Sequence, residues 1–285
     1  MKLRKLSRKE FPPRLLEIPD APDKLYLLGN MPPEDAKMLC VVGARRNTEY
    51  GREVCEKLVS SLKGKNVAIV SGLALGIDTI AHKAALASGL FTLSAPGSGL
   101  NDKVLYPHTN LSFSKKIIES GGGLISEFEP DFKSTQWAFP MRNRIMAGLS
   151  QAVLIIEAER KSGTLITARL AADYNRDVLV VPGSIASRNS EGPHLLLRIG
   201  ATPITCPQDL HEALGFEATP ATTEERYGDC GAEERKIIEL LENPMSRDDL
   251  IRNLEMPASE INMHLSLLEM KGHIQEFMGE LRLKI

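Results

Sequence analysis

Six short apolar runs punctuate the middle of the chain, each ending close to Gly, Ser or Pro. They are Leu39-Cys40-Val41-Val42, Val67-Ala68-Ile69-Val70, Phe91-Thr92-Leu93, Gly123-Leu124-Ile125, Val153-Leu154-Ile155-Ile156 and Val178-Leu179-Val180-Val181. Runs of this length are too short for helices and read as buried strands. Between them, helical patterns span residues 49–62, 77–87, 112–119, 142–149 and 165–174. Strand and helix in alternation predict an α/β core over residues 39–214, a Rossmann-like, mostly parallel sheet with helices on both faces. Residues 1–38 are expected to be an N-terminal extension packing on that core.

The pattern changes near Leu214. Residues 215–231 hold Pro220 and a charge cluster without apolar period, and read as a linker. A small helical unit follows over residues 232–285. Its first helix carries Ile237, Ile238, Leu240 and Leu241 on one face. Ser246 with Asp249 makes a start like a capping box for a second helix that runs to about Leu254. Met256-Pro257 turns the chain into a third helix over residues 259–271, with Ile261, Leu265 and Leu268 inward, and a Gly-turned hairpin follows over residues 277–283. Three helices and a β wing make a C-terminal winged-helix domain. Its third helix has two open uses, reading a duplex groove or docking a partner.

With 285 residues, 42% hydrophobic and 25% charged, the chain can bury one large core and a small second one. A net charge of -2 means that any polyanion site must be a local cluster. Cys40, Cys55, Cys206 and Cys230 are scattered without a C-x-x-C pair, which argues against zinc and against a disulfide framework. A reducing cytoplasm is expected, with no bound metal. Lys2, Arg4, Lys5, Arg8 and Lys9 are followed by no apolar stretch, so neither a signal peptide nor a membrane span is expected there.

Candidate binding residues gather where the strands end. The first run leaves as Val42-Gly43-Ala44-Arg45-Arg46-Asn47-Thr48, in which Gly43 permits a tight exit and Asn47 or Thr48 can cap the next helix. The helix-start amides and a guanidinium then face one crevice, which suits phosphate. An ion pair with a surface carboxylate is the plainer use of Arg45 or Arg46. The second run leaves as Ser71-Gly72-Leu73-Ala74-Leu75-Gly76-Ile77-Asp78, without the glycine order or the ribose-binding acid of a dinucleotide site, so no NAD-type cofactor is expected. His82 follows Asp78 by one helical turn, and the pair reads as a structural hydrogen bond in preference to an acid/base dyad. Ser162-Gly163-Thr164 again places small residues at a helix start.

Trp137-Ala138-Phe139-Pro140-Met141-Arg142-Asn143-Arg144 stands before the fifth run. An aromatic beside guanidinium groups, at the mouth of a buried strand, is a means of stacking a base and holding phosphates. Trp137 reads as closing the core under a long loop and Phe139 as exposed. Arg142 and Arg144 are divided between phosphate contact and holding the loop, and Asn143 reads as structural.

These segments carry a resemblance. Val42-Gly43-Ala44-Arg45, Ser71-Gly72-Leu73-Ala74-x-Gly76-Ile77-Asp78 with Ala81-His82, Gly99-Leu100 with Tyr106-Pro107-x-x-Asn110, Ser126-Glu127, Phe139-Pro140-x-Arg142-Asn143-Arg144, Ala147-Gly148-Leu149-Ser150, Glu157-Ala158, Ser162-Gly163-Thr164-Leu165-x-Thr167-Ala168 and Val181-Pro182-Gly183-Ser184 resemble the DNA-processing protein A family, DprA or Smf, over about residues 19–210. The resemblance implies a Rossmann-like homodimer that binds single-stranded DNA and helps load a RecA-type recombinase, in natural transformation or another recombination pathway. It implies that Arg45 and Phe139 line the DNA pocket and that the tail is the family's winged-helix domain. An N-terminal helical domain found in some members is not expected here. Gly192-Pro193-His194-Leu195 departs from the family, standing where a Gly-Thr-Asn-like turn is typical. The expected contact set is Arg45, Arg46, Ser71, Gly72, His108, Phe139, Arg142, Arg144, Ser162, Gly163 and Thr164, with no catalytic residue and no cofactor.

Two rivals use the same residues. One is an enzyme resembling the nucleotide phosphoribohydrolases of the lysine-decarboxylase-like family, with Glu127 or Glu157 in the reaction, although Gly121-Gly122-Gly123 precedes its strand where that family's glycine turn follows one. The other is a transcription regulator whose specificity lies in the winged helix.

Overall fold

In the computed structural model, residues 2–216, 230–241, 243–254, 256–277 and 279–283 are described. The chain forms two compact units, Met1–Ala218 and Thr219–Ile285. The expected linker over residues 215–231 lies outside the described residues apart from its two ends, as does Met278 in the hairpin turn.

In the first unit, nine strands form one sheet. In chain order they are β1 (Arg4–Leu6), β2 (Leu25–Gly29), β3 (Lys37–Val42), β4 (Val67–Ser71), β5 (Phe91–Ser94), β6 (Gly123–Ser126), β7 (Ala152–Ile155), β8 (Asp177–Val180) and β9 (Thr202–Pro203). Their spatial order is β1-β2-β6-β5-β4-β3-β7-β8-β9. All pairings from β6 to β9 are parallel, whereas β2 joins β6, and β1 joins β2, antiparallel. The N-terminal extension therefore lengthens the sheet itself. The fold is Rossmann-like and mostly parallel.

The helices are α1 (Pro13–Leu16), α2 (Glu49–Ser60), α3 (Ile77–Ala87), α4 (Leu111–Glu119), α5 (Ala138–Leu149), α6 (Thr164–Asp173), α7 (Glu191–Arg198) and α8 (Pro207–Ala213). Strand side chains alternate between the two faces they cover. Cys40, Val42, Val153 and Ile155 join the core under α5 and α6, and Leu39, Val41, Ala152 and Leu154 join the core under α2 and α3. Gly192-Pro193 lies in the first turn of α7, where proline is tolerated and no turn is needed.

Helix α5 begins at Ala138, ahead of the expected Arg142, and takes Phe139 and Pro140 into its first turn. Amides there have no partner within the helix, so proline costs nothing at that place. From Arg142 to Leu149 every residue of α5 is buried. A helix buried all round, yet carrying Arg142-Asn143-Arg144, must satisfy those groups internally.

The second unit holds α9 (Ala232–Leu240), α10 (Arg247–Asn253), α11 (Ala258–Lys271) and a three-stranded antiparallel sheet of β10 (Met245–Ser246), β11 (Ile274–Phe277) and β12 (Glu280–Leu283). Ile237, Ile238, Leu250, Ile261, Leu265, Leu268 and Leu281 form its core. Ser246 caps α10 by accepting from the Asp249 amide at 3.1 Å, while its hydroxyl donates to the Asp249 carboxylate at 2.7 Å. This unit is a winged helix. Among the described residues, no helix in the chain is long and apolar enough to cross a membrane.

Candidate nucleic-acid interface

Strands β4, β5 and β6 lie on one side of β3, and β7, β8 and β9 lie on the other. The topological switch therefore falls between β3 and β7, where open α/β sheets bind ligands beyond the strands' carboxyl ends. A cleft of about 330 Å³ opens there. The β3 exit contributes Gly43, Ala44, Arg45 and Arg46, the β7 exit Glu159, Lys161, Ser162, Gly163 and Thr164, and α5 Phe139, Arg142 and Asn143.

Thr48 caps α2 by accepting from the Gly51 amide at 3.1 Å. Glu157 anchors this turn from below, accepting from the Thr48 amide at 2.9 Å, the Thr48 hydroxyl at 2.5 Å and the Asn189 amide group at 3.1 Å. A Cβ on Gly51 would collide with that carboxylate. Asn189 also donates to the Arg46 carbonyl at 3.0 Å. The Arg45-Arg46 loop is thus fastened through its backbone, and both side chains are exposed without an ion pair to any described residue. The surface-pair use of these arginines is not realised. The Arg45 guanidinium lies over the Phe139 ring, 5.2 Å from its centre.

At the next exit, Ser71 is fully buried and its hydroxyl donates to the Val41 carbonyl at 2.6 Å, which removes its side chain from the expected contact set. Gly72 serves the fold as well, because a Cβ there would meet the Arg142 guanidinium. Leu73 takes a left-handed conformation (φ 63°), and its carbonyl accepts from Asn110 Nδ2 at 2.8 Å. That bond gives the Tyr106-Pro107-x-x-Asn110 segment a structural purpose. Gly76 has φ 77° and backs directly onto the Ala44 and Arg45 carbonyls, leaving no room for a side chain.

Asp78 and His82 form no pair with each other. Asp78 accepts from the Gly72 amide at 3.1 Å and the Ala74 amide at 3.4 Å, while His82 Nδ1 sits 2.6 Å from Thr92 Oγ1. Burial raises the Asp78 carboxyl above its usual range, opposed by the nearby Arg142 charge. Burial pushes His82 down to about 3, so its ring is neutral at physiological pH.

Arg142 and Arg144, both 6% exposed, are the largest corrections. Arg142 Nη1 donates to the Gly72 carbonyl at 2.5 Å and also to the Ala95 carbonyl, and its Nε donates to Asn143 Oδ1 at 3.2 Å. It borders the cleft, with Nη1 and Nε engaged inside the protein. Arg144 borders no part of the cleft and instead pairs with Glu127 and the Asp20 carbonyl. Burial raises the Glu127 carboxyl, with Arg144 opposing. Asn143 holds Arg142 and donates to the Gly163 carbonyl at 3.4 Å, in line with its structural reading.

On the opposite side, Thr164 Oγ1 donates to the Gly43 carbonyl at 3.2 Å and ties the β7 exit to the β3 exit. Ser162 and Gly163 line the cleft. His108 is exposed and borders neither the cleft nor the smaller hollow between Tyr106 and Phe139. Sequence reasoning missed Lys161, an exposed cation in the cleft wall, whose only signal was its place directly before Ser162-Gly163-Thr164. It also missed the exposure of Trp137, which is 55% accessible.

In the second unit, α11 leaves Met263, Leu267 and Met270 exposed, and its Lys271 bonds to Glu234 at 2.7 Å. Arg247 pairs with Glu269 and Glu276.

An open α/β sheet with unpaired cations and an aromatic at its switch point gives a Rossmann-like protein with a candidate anion site in its cleft. The chain matches the family described as DNA recombination-mediator protein A over residues 2–215, and the DprA winged helix domain over residues 216–279. It belongs to that family. It is 40% identical over 206 residues to Protein Smf of Escherichia coli (strain K12), covering 72% of this chain and 54% of that protein. It is 40% identical over 200 residues to DNA processing protein DprA of Streptococcus pneumoniae, covering 70% of each. The solved structure of the S. pneumoniae protein superposes with a TM-score of 0.68 at 38% identity, over 74% of each chain. DNA processing protein A from Helicobacter pylori, solved for its single-stranded DNA binding mode, superposes with a TM-score of 0.66 at 31% identity, over 75% of this chain and 95% of that one.

Proposed function

We propose that this chain is a non-enzymatic single-stranded DNA-binding protein that holds the strand in the switch-point cleft and passes it, as a homodimer, to a RecA-type recombinase during transformation or another recombination process. The observation that carries the reading is the unpaired Arg45 guanidinium over the half-buried Phe139 ring, beside unpaired Arg46 and Lys161. Arg45, Arg46 and Lys161 bind phosphates, helped by amides at the β7 exit, and Phe139 stacks a base. An aromatic beside unpaired cations favours a single strand, whose bases are free to stack. The single-strand binding mode of the H. pylori relative, at 31% identity, supports the same ligand.

The enzyme reading is disfavoured by the state of its two candidate carboxylates. Glu157 is occupied by Thr48 and Asn189, and Glu127 by Arg144. A competition assay tests the ligand, with labelled single strand bound to the chain and challenged by unlabelled single strand or duplex. Single strand is expected to compete better, and preferential displacement by duplex would overturn the proposal. Recombinase ATPase on a strand coated with a single-strand-binding protein, measured with and without the chain, tests the loading step. Stimulation is expected, and no change would refute loading. Light scattering tests the dimer.

A further inference from the structure

We infer that Trp137 is a second base-stacking platform, which extends the single-strand track from the cleft across the carboxyl ends of β5 and β6. The inference rests on the single-strand reading of the cleft.

Trp137 stands at the start of α5, two residues before Phe139, and the two rings rest on different strand exits. A Cβ on Gly97, in the loop leaving β5, would come within 2.7 Å of the Phe139 ring. The Trp137 indole packs against Phe128 and Phe132 in the loop leaving β6, with ring centres 5.7 and 5.5 Å away at 74° and 61°. Phe128 and Phe132 themselves stack at 4.5 Å and 16°. The two loops are tied together, because the Gly99 amide donates to the Phe132 carbonyl at 2.9 Å and the Asn101 amide to the Pro130 carbonyl at 3.0 Å. The loop under Phe139 and the loop under Trp137 are therefore hydrogen-bonded to each other.

Edge-to-face packing on two rings fixes the indole, yet 55% of Trp137 stays accessible. A tryptophan normally buries most of its large apolar area, so an ordered and exposed one presents a surface for a flat π-faced partner. The partner's chemistry follows from position. The neighbouring cleft holds cations and a stacking ring, and Lys133 is exposed without an ion pair to any described residue. A further nucleobase on the same strand fits both. Base–aromatic stacking tolerates any sequence, so such a site lengthens the footprint without adding specificity.

Trp137 is the chain's single tryptophan, so indole emission reports this residue alone. The full chain is titrated with oligothymidylates of about 4 to about 16 nucleotides, the range that single-strand sites occupy. Binding is read in parallel by anisotropy of labelled oligonucleotides, for wild type, Trp137→Ala, Trp137→Phe, Phe139→Ala and Arg45→Ala. Emission should be quenched by the longer oligonucleotides only. Trp137→Ala should weaken those about 5- to 100-fold while the shortest bind as to wild type, and Trp137→Phe should restore most of the loss. Phe139→Ala should weaken all lengths. If long oligonucleotides bind in an Arg45-dependent way but emission is constant and Trp137→Ala binds like wild type, the second platform is refuted and the cleft reading stands. If Trp137→Ala instead changes only the oligomeric state seen by light scattering, the indole is a protein contact and the inference also fails. If no oligonucleotide binds at any length, the cleft reading fails and this inference with it.

Discussion

Two pairs of arginines, in segments that looked equally suited to holding phosphate, have opposite fates. Arg45 and Arg46 follow a strand exit whose backbone is already held by Asn189 and by the Glu157-anchored start of α2, so their guanidinium groups are left to solvent. Arg142 and Arg144 sit on a helix buried from residue 142 onward, where an unbonded charge would be costly, and each is held by backbone carbonyls, with Asn143 beside Arg142 and Glu127 beside Arg144. Function in an arginine-rich segment thus depends on which elements already satisfy the charge. Arginine count alone does not reveal it.

The difference can be tested by separating stability from binding. Arg144→Ala leaves Glu127 buried without its counter-charge, and is expected to lower unfolding free energy by about 3–5 kcal/mol in urea titrations. A loss within the scatter of surface mutants would move Arg144 into the exposed class. His82, fully buried on α3, gives a second test of charge burial. Its folded pKa of about 3 lies below its ordinary 6.5, so the unfolded chain binds the extra proton as pH falls. Stability is therefore present above about pH 6.5 and lost toward pH 3, on the order of 3 kcal/mol by about pH 4. His82→Gln should flatten this part of the urea midpoint profile, and an unchanged acid limb would refute the assignment.

Binding changes should be smaller in free energy and should leave folding largely intact. Phe139→Ala is expected to weaken single-strand affinity by about 1–3 kcal/mol by anisotropy. Arg45→Ala should lower affinity with thermal stability within about 0.5 kcal/mol of wild type, and a large stability loss would erase the contrast with Arg144. The smallest effect is expected from ending the chain after Phe216, which removes the winged helix and its exposed Met263, Leu267 and Met270 but none of the residues lining the cleft. Single-strand affinity should be retained, and a substantial drop would show that the second unit also holds DNA.

Six of the seven parallel strands were legible because each is a short apolar run between helical periods, whereas the two-residue β9 was not, and the Gly-spaced exits marked the cleft edge. Strands β1 and β2 were not, since Arg4–Leu6 and Leu25–Gly29 are short pieces that gain strand geometry only by pairing at the edge of the finished sheet. Strand-exit chemistry and family resemblance together pointed to Arg45 and Phe139, and the structure sets the Arg45 guanidinium over the Phe139 ring. The roles of Ser71, Gly72, Arg142 and Arg144 could not be read, because partners such as Val41, Ala95 and Glu127 are far away in sequence. Pro140 concealed the start of α5, since a proline ends a helix or begins one depending on which turn it enters.

The central claim is that exposed Arg45, and not buried Arg142 or Arg144, carries phosphate binding. Single-strand affinity measured at several salt concentrations tests it most directly, because each neutralised phosphate contributes about -0.7 to the slope of log affinity against log salt. Arg45→Ala should bind more weakly and make the slope shallower by roughly 0.7. An unchanged affinity and slope for Arg45→Ala would contradict the account.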